Sequence, residues 1–268
     1  MIPYFELREI PLLAGRSLAG FGTLVTIGVF AGAWFAERRA RLTGIGQKEM
    51  QGAIASAVVP GFLLAHAVTL ISHAGSETWS SRLAFEFWNG MSSFGGFAGA
   101  FFGLAFYYRR SHRSWLPAAD VLMQALVIGW AFGRLGCTLV HDHLGTPSES
   151  LLAIRFPDGA RHDLGLYEFL YTVLVLVPAV IVLNRRQRAP GTAVAVLGLL
   201  YAPARFLGDF LRGVDFAGAD PRYLGLTGAQ YGCIVLAGIG ILVAMRVRAA
   251  GGMSSPPDRA GSRALLEK

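Results

Sequence analysis

A chain of 268 residues with 53% hydrophobic residues, only 15% charged ones and a mean hydropathy of +0.47 is too apolar for a soluble globular protein, which carries about 25% charged residues. The net charge of +7 does not point to nucleic acid: of 24 basic residues only Lys48 and Lys268 are lysines. The arginines fall in short clusters between apolar runs, the pattern of membrane topology signals.

Seven apolar runs follow one another, at about 18–36, 52–73, 92–108, 118–140, 167–184, 193–212 and 228–247. Each is long enough, or nearly so, to cross the hydrocarbon as a helix of ~20 residues. They are apolar around most of their circumference, whereas helices of a soluble bundle carry polar faces at helical spacing. After the first run come Arg38, Arg39, Arg41 and Lys48; after the third, Arg109, Arg110 and Arg113; after the fifth, Arg185, Arg186 and Arg188. With the residues after the seventh run, fifteen basic residues lie on one side and six on the other. The positive-inside rule places the N-terminus outside and the C-terminus in the cytoplasm. The charges follow the first run rather than precede it, the reverse of a cleaved signal peptide. The expected fold is an all-α integral membrane protein of seven transmembrane helices with an outward-opening polar cavity. Residues 1–248 form one domain, 249–268 read as a disordered cytoplasmic tail rich in small residues and proline, and 141–166 form the largest outside loop. Cys137 and Cys233 both fall in apolar runs, form no CxxC pair and read as small packing residues.

The polar residues within the spans are unevenly placed. An arginine near mid-span costs about 2.5–3.5 kcal/mol on insertion scales and usually faces a cavity or partner. Arg134 lies late in the fourth run and Arg205 past the middle of the sixth. Asp209 follows Arg205 at i+4 and Arg212 at i+7, so Tyr201, Arg205, Asp209 and Arg212 form one polar stripe beside Pro203. An Arg205–Asp209 ion pair and an Arg212 that snorkels to the interface are alternative readings of that stripe. Gly95, Gly99 and Gly103 make two overlapping GxxxG spacings suited to close helix contact; the Gly95–Gly96 pair could instead bring backbone amides to an anion. Tyr167, Glu168, His66 and His73 also fall toward the outer side. Polar groups confined to the outer half suit an anionic lipid headgroup, whose phosphate matches the guanidinium fork. A transported ion would need polar groups strung across the whole depth. In "VHDH", His141 and His143 are spaced i, i+2, which matches no helical metal motif. They read either as a general base assisted by Asp142 or as a solvated loop end. No cofactor or metal is implied.

These motifs together resemble the bacterial prolipoprotein diacylglyceryl transferase family. "GMSSFGGFAGA" resembles its Ser-aromatic-His-Gly-Gly stretch. "GRLGCTLVHDHLG" resembles its Gly-Arg-Ile-Gly-Asn-Phe-Ile-Asn-Gly-Glu signature, "HDLGLYE" its His-Pro-Ser-Gln-Leu-Tyr-Glu, and "YAPARFLGDFLR" its Tyr-Gly-x-x-Arg-Phe-x-x-Glu-x-x-Arg. "LTGAQ" is similar to its Leu-Thr-x-Gly-Gln, and the order is collinear to about residue 247. The resemblance implies transfer of diacylglyceryl from phosphatidylglycerol to the lipobox cysteine thiol of a prolipoprotein in the bacterial cytoplasmic membrane, with the site facing the outer leaflet. It implies that Arg134 holds the phosphate or stabilises its departing charge, that Arg205 does likewise or helps activate the thiol, and that Asp142 stands for the signature glutamate. Tyr201, Asp209, Arg212, His162, Tyr167, Glu168 and Gln230 match the remaining motif positions. The chain departs from the pattern at Phe94, where members have histidine, at Cys137 and Val140, where they have asparagine, and at His141, where they have glycine. His141 or His143 is a candidate to replace the absent imidazole. A same-fold paralogue that binds anionic lipid without this catalysis, and a small transporter, are the other functions considered.

Overall fold

The computed structural model describes residues 1–11, 17–73, 92–216 and 219–253. Among these, seven long helices carry the fold: α1 (Gly20–Thr43), α2 (Gln47–His73), α3 (Ser93–Ser111), α4 (Leu116–Val140), α5 (Leu164–Asn184), α6 (Thr192–Gly208) and α7 (Gly228–Met253). All except α3 are long and apolar enough, by length and composition, to cross a membrane. The protein is thus a mostly helical membrane protein. Helix α3 is glycine-rich and ends in Tyr107, Tyr108, Arg109 and Arg110. Helix α5 contains one π-helical stretch, Thr172–Leu176, immediately after the turn that carries Glu168. Helix α6 runs through Pro203 and ends in a 3₁₀ turn, Asp209–Leu211. Residues 254–268, most of the expected tail, lie outside the described residues, as do 74–91 between α2 and α3.

Helix pairing follows the small residues. Lipid provides no hydrophobic drive between helices, so close packing and backbone approach hold them together. Helices α2 and α3 pack along the glycine stripe: a Cβ at Gly99 would overlap the Pro60 carbonyl oxygen, and one at Gly103 that of Ser56. The α1–α4 and α6–α7 pairs are the other extensive contacts, and α4 also touches α5 and α6. At the start of α4, Asp120 accepts the backbone N–H groups of Gly191 (2.7 Å) and Val194 (2.9 Å), capping α6 from a neighbouring helix.

The stretch expected as the long outside loop, 141–166, is largely a small sheet. Strands β4 (Leu144–Pro147), β5 (Ile154–Phe156) and β6 (Gly159–Asp163) pair antiparallel, and β1 (Ile2–Pro3) adds in parallel to β5. Two short hairpins, β2–β3 (Glu9–Pro11 with Ser17–Ala19) and β7–β8 (Arg222–Tyr223 with Leu226–Thr227), complete the strands. The sheet ends at Asp163, fully buried, whose Oδ1 accepts the Leu166 N–H at 2.8 Å and so caps α5. It is also joined to the end of α6, where Gly213 N–H donates to the Leu144 carbonyl (3.1 Å) and Arg161 forks onto Asp215 (3.0 and 2.5 Å). The end of α4, the start of α5 and the end of α6 are therefore held around one sheet.

The glycine seam has a measurable consequence. Gly103→Ala is expected to lower the melting point in detergent, at a cost of about 1–3 kcal/mol, because its Cβ would overlap the α2 backbone. Gly238→Ala, where a Cβ meets nothing within 4 Å, is expected to leave the melting point unchanged or higher. Equal melting points for the two variants would contradict this packing.

Candidate active site

Three helices converge on one carboxylate. Glu168, on the first turns of α5, places Oε2 3.1 Å from Arg134 Nε of α4 and Oε1 3.2 Å from Arg205 Nε of α6. The Oε1 contact lacks hydrogen-bond alignment, so it is an ion pair only. The Tyr201 hydroxyl donates to Glu168 Oε2 at 3.1 Å. Both arginine side chains are buried, at 7% exposure each. Burial of such charges is tolerated only with partners, and Glu168 supplies a shared one. Arg134 therefore does have an acidic partner, although no acid lies within helical reach on its own helix before Asp142.

Behind Arg205 stands a second carboxylate. Arg205 Nη1 donates to Asp209 Oδ1 at 2.6 Å, and Arg212 Nη1 lies 3.6 Å from the same oxygen. Asp209 is completely buried; its other oxygen accepts the Thr227 hydroxyl, and Gln230 Oε1 accepts the Thr227 N–H at 2.9 Å. Gln230 Nε2 in turn donates to the Phe206 carbonyl at 3.1 Å, tying α7 to α6. The expected Arg205–Asp209 pair is thus present, within a larger network. Arg212 does not simply snorkel: its Nε reaches Asp220 at 2.5 Å.

Arg134 has a further set of neighbours. Its guanidinium lies over the Trp130 ring, 4.4 Å from the centroid. Its Nη1 donates to His143 Nε2 at 3.0 Å and lies 3.7 Å from Cys137 Sγ. Because Nε2 accepts, the proton of a neutral His143 sits on Nδ1, which donates to Asp142 Oδ1 at 2.5 Å. Burial works against ionisation of Asp142, but the hydrogen bond from His143 and the nearby Arg134 outweigh it and hold the carboxyl below its usual range. No hydrogen bond joins Nη2 of Arg134 or of Arg205 to a described residue. Two guanidinium groups held by one carboxylate thus keep spare donors, an arrangement suited to an oxyanion. A cavity of about 180 Å³ opens beside Glu168 and Arg205, lined also by Leu164, Tyr167, Tyr171, Tyr201, Ala204 and Gly208. His162 Nδ1 and the Tyr167 hydroxyl are hydrogen-bonded at 2.7 Å. Cys137, Asp142 and His143 have ligand atoms within 4.8 Å of one another, but the Arg134 charge 3.0 Å from His143 Nε2 opposes a cation there.

The expected residues do not all gather here. Arg134, Arg205, Glu168, Tyr201, Asp209, Arg212, Gln230, Asp142 and His143 form one connected cluster. Gly95 and Gly96 do not join it through any described contact. Gly95 N–H is taken by Ser92 Oγ and Gly96 N–H by the Ser92 carbonyl, and Gly95 packs on the Leu64–Ala65 backbone. His141 also turns away. At φ 51° it closes α4 in the left-handed region, with Nδ1 2.6 Å from Asp163 Oδ2 and Nε2 2.6 Å from the Phe5 carbonyl. His66 is buried on α2, and the side chains of His73 and Phe94 lie outside the described residues. Trp130, which sequence reasoning misses, lies one helical turn from Arg134; that i, i+4 spacing is the available signal.

A family model described as prolipoprotein diacylglyceryl transferase matches residues 11–246. The chain belongs to the prolipoprotein diacylglyceryl transferase family. It is 31% identical over 237 residues to the phosphatidylglycerol–prolipoprotein diacylglyceryl transferase of Nitratidesulfovibrio vulgaris (strain DSM 19637 / Miyazaki F), covering 86% of this chain and 89% of that one. The enzyme of the same name from Pseudomonas aeruginosa (strain UCBPP-PA14) is 27% identical over 257 residues, 91% of this chain and 95% of its own. In this family member Arg134, Glu168 and Arg205 come from three separate motif stretches that α4, α5 and α6 bring together.

His141 is the titratable group at the junction of α4 and the sheet. Two acceptors face its two nitrogens, so the arrangement calls for the imidazolium. Burial opposes that charge, but the bond to Asp163 and the Phe5 carbonyl prevail and raise its pKa. A raised folded value stabilises fully below the unfolded value of about 6.5 and is lost as pH climbs through the folded one. The melting point in detergent is expected to fall across that interval, and His141→Gln to reduce the pH dependence. An unchanged profile in the variant would remove His141 from this role.

Proposed function

We propose that the protein transfers the diacylglyceryl group of phosphatidylglycerol to the lipobox cysteine thiol of a prolipoprotein. The thiolate sulfur forms a bond to the glycerol carbon, the carbon–oxygen bond to phosphate breaks, and glycerol phosphate leaves with the electron pair. The Arg134–Glu168–Arg205 bridge carries this reading. Its spare guanidinium donors hold the phosphate and stabilise charge as it develops on the leaving group, work for which a preorganised donor is worth about 10²–10³ in rate. The Asp142–His143 pair takes the thiol proton once Arg134 Nη1 turns from His143 Nε2 to the incoming phosphate: the freed Nε2 becomes protonated, and the Asp142 carboxylate balances the imidazolium. Tyr201, Asp209, Arg212 and Gln230 position Arg205, and Tyr167 lines the lipid cavity. Family membership and the names of the relatives support the donor and the acceptor.

In this reading seven helices, α3 included, span the bacterial cytoplasmic membrane as one domain over residues 1–248, and 249–268 is a cytoplasmic tail. The cluster and its sheet face the outer leaflet, because the arginine-rich loops lie at the opposite helix ends. A same-fold protein that binds anionic lipid without this transfer is the second reading. Cys137 and Val140 favour it, since they remove two amides that the family signature supplies for hydrogen bonding.

With phosphatidylglycerol and a lipobox peptide, the purified chain is expected to yield the thioether peptide, identified by mass. Arg134→Ala or Arg205→Ala is expected to lower the rate at least ~100-fold while the protein still inserts and melts cooperatively. Lipid binding with no transfer to any of several peptides would establish the second reading instead.

A further inference from the structure

The indole N–H of Trp130 is buried and has no hydrogen-bond partner among the described residues. An orphaned buried donor is costly and invites an explanation. Trp130 is not a loosely placed ring. Its face lies beneath the Arg134 guanidinium at 4.4 Å, Tyr201 meets it edge-on at 5.9 Å, and Phe97 of α3 packs at 5.7 Å. Aromatic and cationic contacts thus occupy it from α3, α4 and α6, while the one polar atom of the side chain stays unused. It sits four residues before Arg134 on α4, about 6 Å further along the helix toward mid-span.

We propose that the Trp130 N–H is the donor that receives an acyl-ester carbonyl of the diacylglyceryl lipid. This rests on the reading above, in which Arg134 and Arg205 hold the lipid phosphate. A phospholipid held there points its glycerol backbone and ester groups from the phosphate toward mid-span, the direction in which Trp130 lies. An ester carbonyl accepts and cannot donate, and an indole N–H donates and cannot accept, so the two are complementary. A tyrosine or histidine could be satisfied by water or by a headgroup hydroxyl in either sense; indole admits acceptors only. Trp130 would then select for ester-linked lipid and set its depth, while the arginines select for the phosphate.

The test compares dioleoyl phosphatidylglycerol with its dialkyl ether analogue, which lacks both carbonyls, on the full chain and on Trp130→Phe, which keeps an aromatic face beneath Arg134 but deletes the N–H. Binding is read by native mass spectrometry, which needs no turnover, and transfer to a lipobox peptide is followed in parallel. The unmodified chain is expected to bind the diester about five- to tenfold more tightly, the worth of one hydrogen bond. Trp130→Phe is expected to bind both lipids alike, at the level of the ether, with KM for the diester raised and kcat little changed. Equal affinity of the unmodified chain for the two lipids overturns the proposal without any variant. So does a variant that keeps the preference, or one that weakens both lipids equally. An ester preference lost in Trp130→Phe, in a chain that transfers nothing, would uphold this subsite and sink the transferase reading.

Discussion

The Glu168 carboxylate is the element on which the polar half of this structure depends. Two guanidinium groups approach it from different helices; it is the acidic partner of Arg134 and, with Asp209, one of two for Arg205. A carboxylate shared in this way does two things. It cancels part of the repulsion between like charges, and it draws the Nε side of each arginine toward itself. The Tyr201 hydroxyl on one oxygen and the Asp209 carboxylate behind Arg205 complete the constraint. Thr227 and Gln230 extend it to α7. The result is a set of charges balanced before a ligand arrives yet not exhausted by their partners, the condition for recognising an anion inside a membrane.

The division of labour along the helices follows from the solvent. Toward the helix ends rich in arginine, α1 to α4 pack through alanine, methionine and tyrosine: Ala36, Ala40, Met50, Tyr108 and Val121 form one buried cluster. Polar groups concentrate instead where the sheet joins α4 to α6. The same logic separates the two glycine uses that the sequence leaves open. On α3 the stripe serves backbone approach to α2, and the Gly95 and Gly96 amides are engaged by Ser92 as a helix start.

Much of this is legible in the chain. Each apolar run falls on one helix, with ends off by up to seven residues, and the cost of placing an arginine in a span singles out Arg134 and Arg205 from the amino-acid order alone. The i, i+4 relation of Arg205 and Asp209 reads directly. Contact between helices does not: Glu168 lies 34 positions from one arginine and 37 from the other, and no periodicity within a single helix links them. The sheet escapes as well. Its strands are two to five residues long, too short to show alternation. His141 and His143 look equivalent in sequence. They part because His141 takes the left-handed conformation that ends α4, so the chain turns between them and sends one imidazole to Asp163 and the other to Arg134.

The pairing of Ile2–Pro3 with Ile154–Arg155 sets an order on events during synthesis. The partner of the first strand emerges only after about 150 further residues, including α1 to α4, have been made. Such distant closure is slow and entropically demanding. The opening segment must therefore wait while four helices settle into lipid. Once β6 follows β5 the four strands are all present, and Asp163 at the end of β6 caps α5, which carries Glu168. A chain still being translated consequently holds one of its two buried arginines without its carboxylate, and the second arginine is made last of the three.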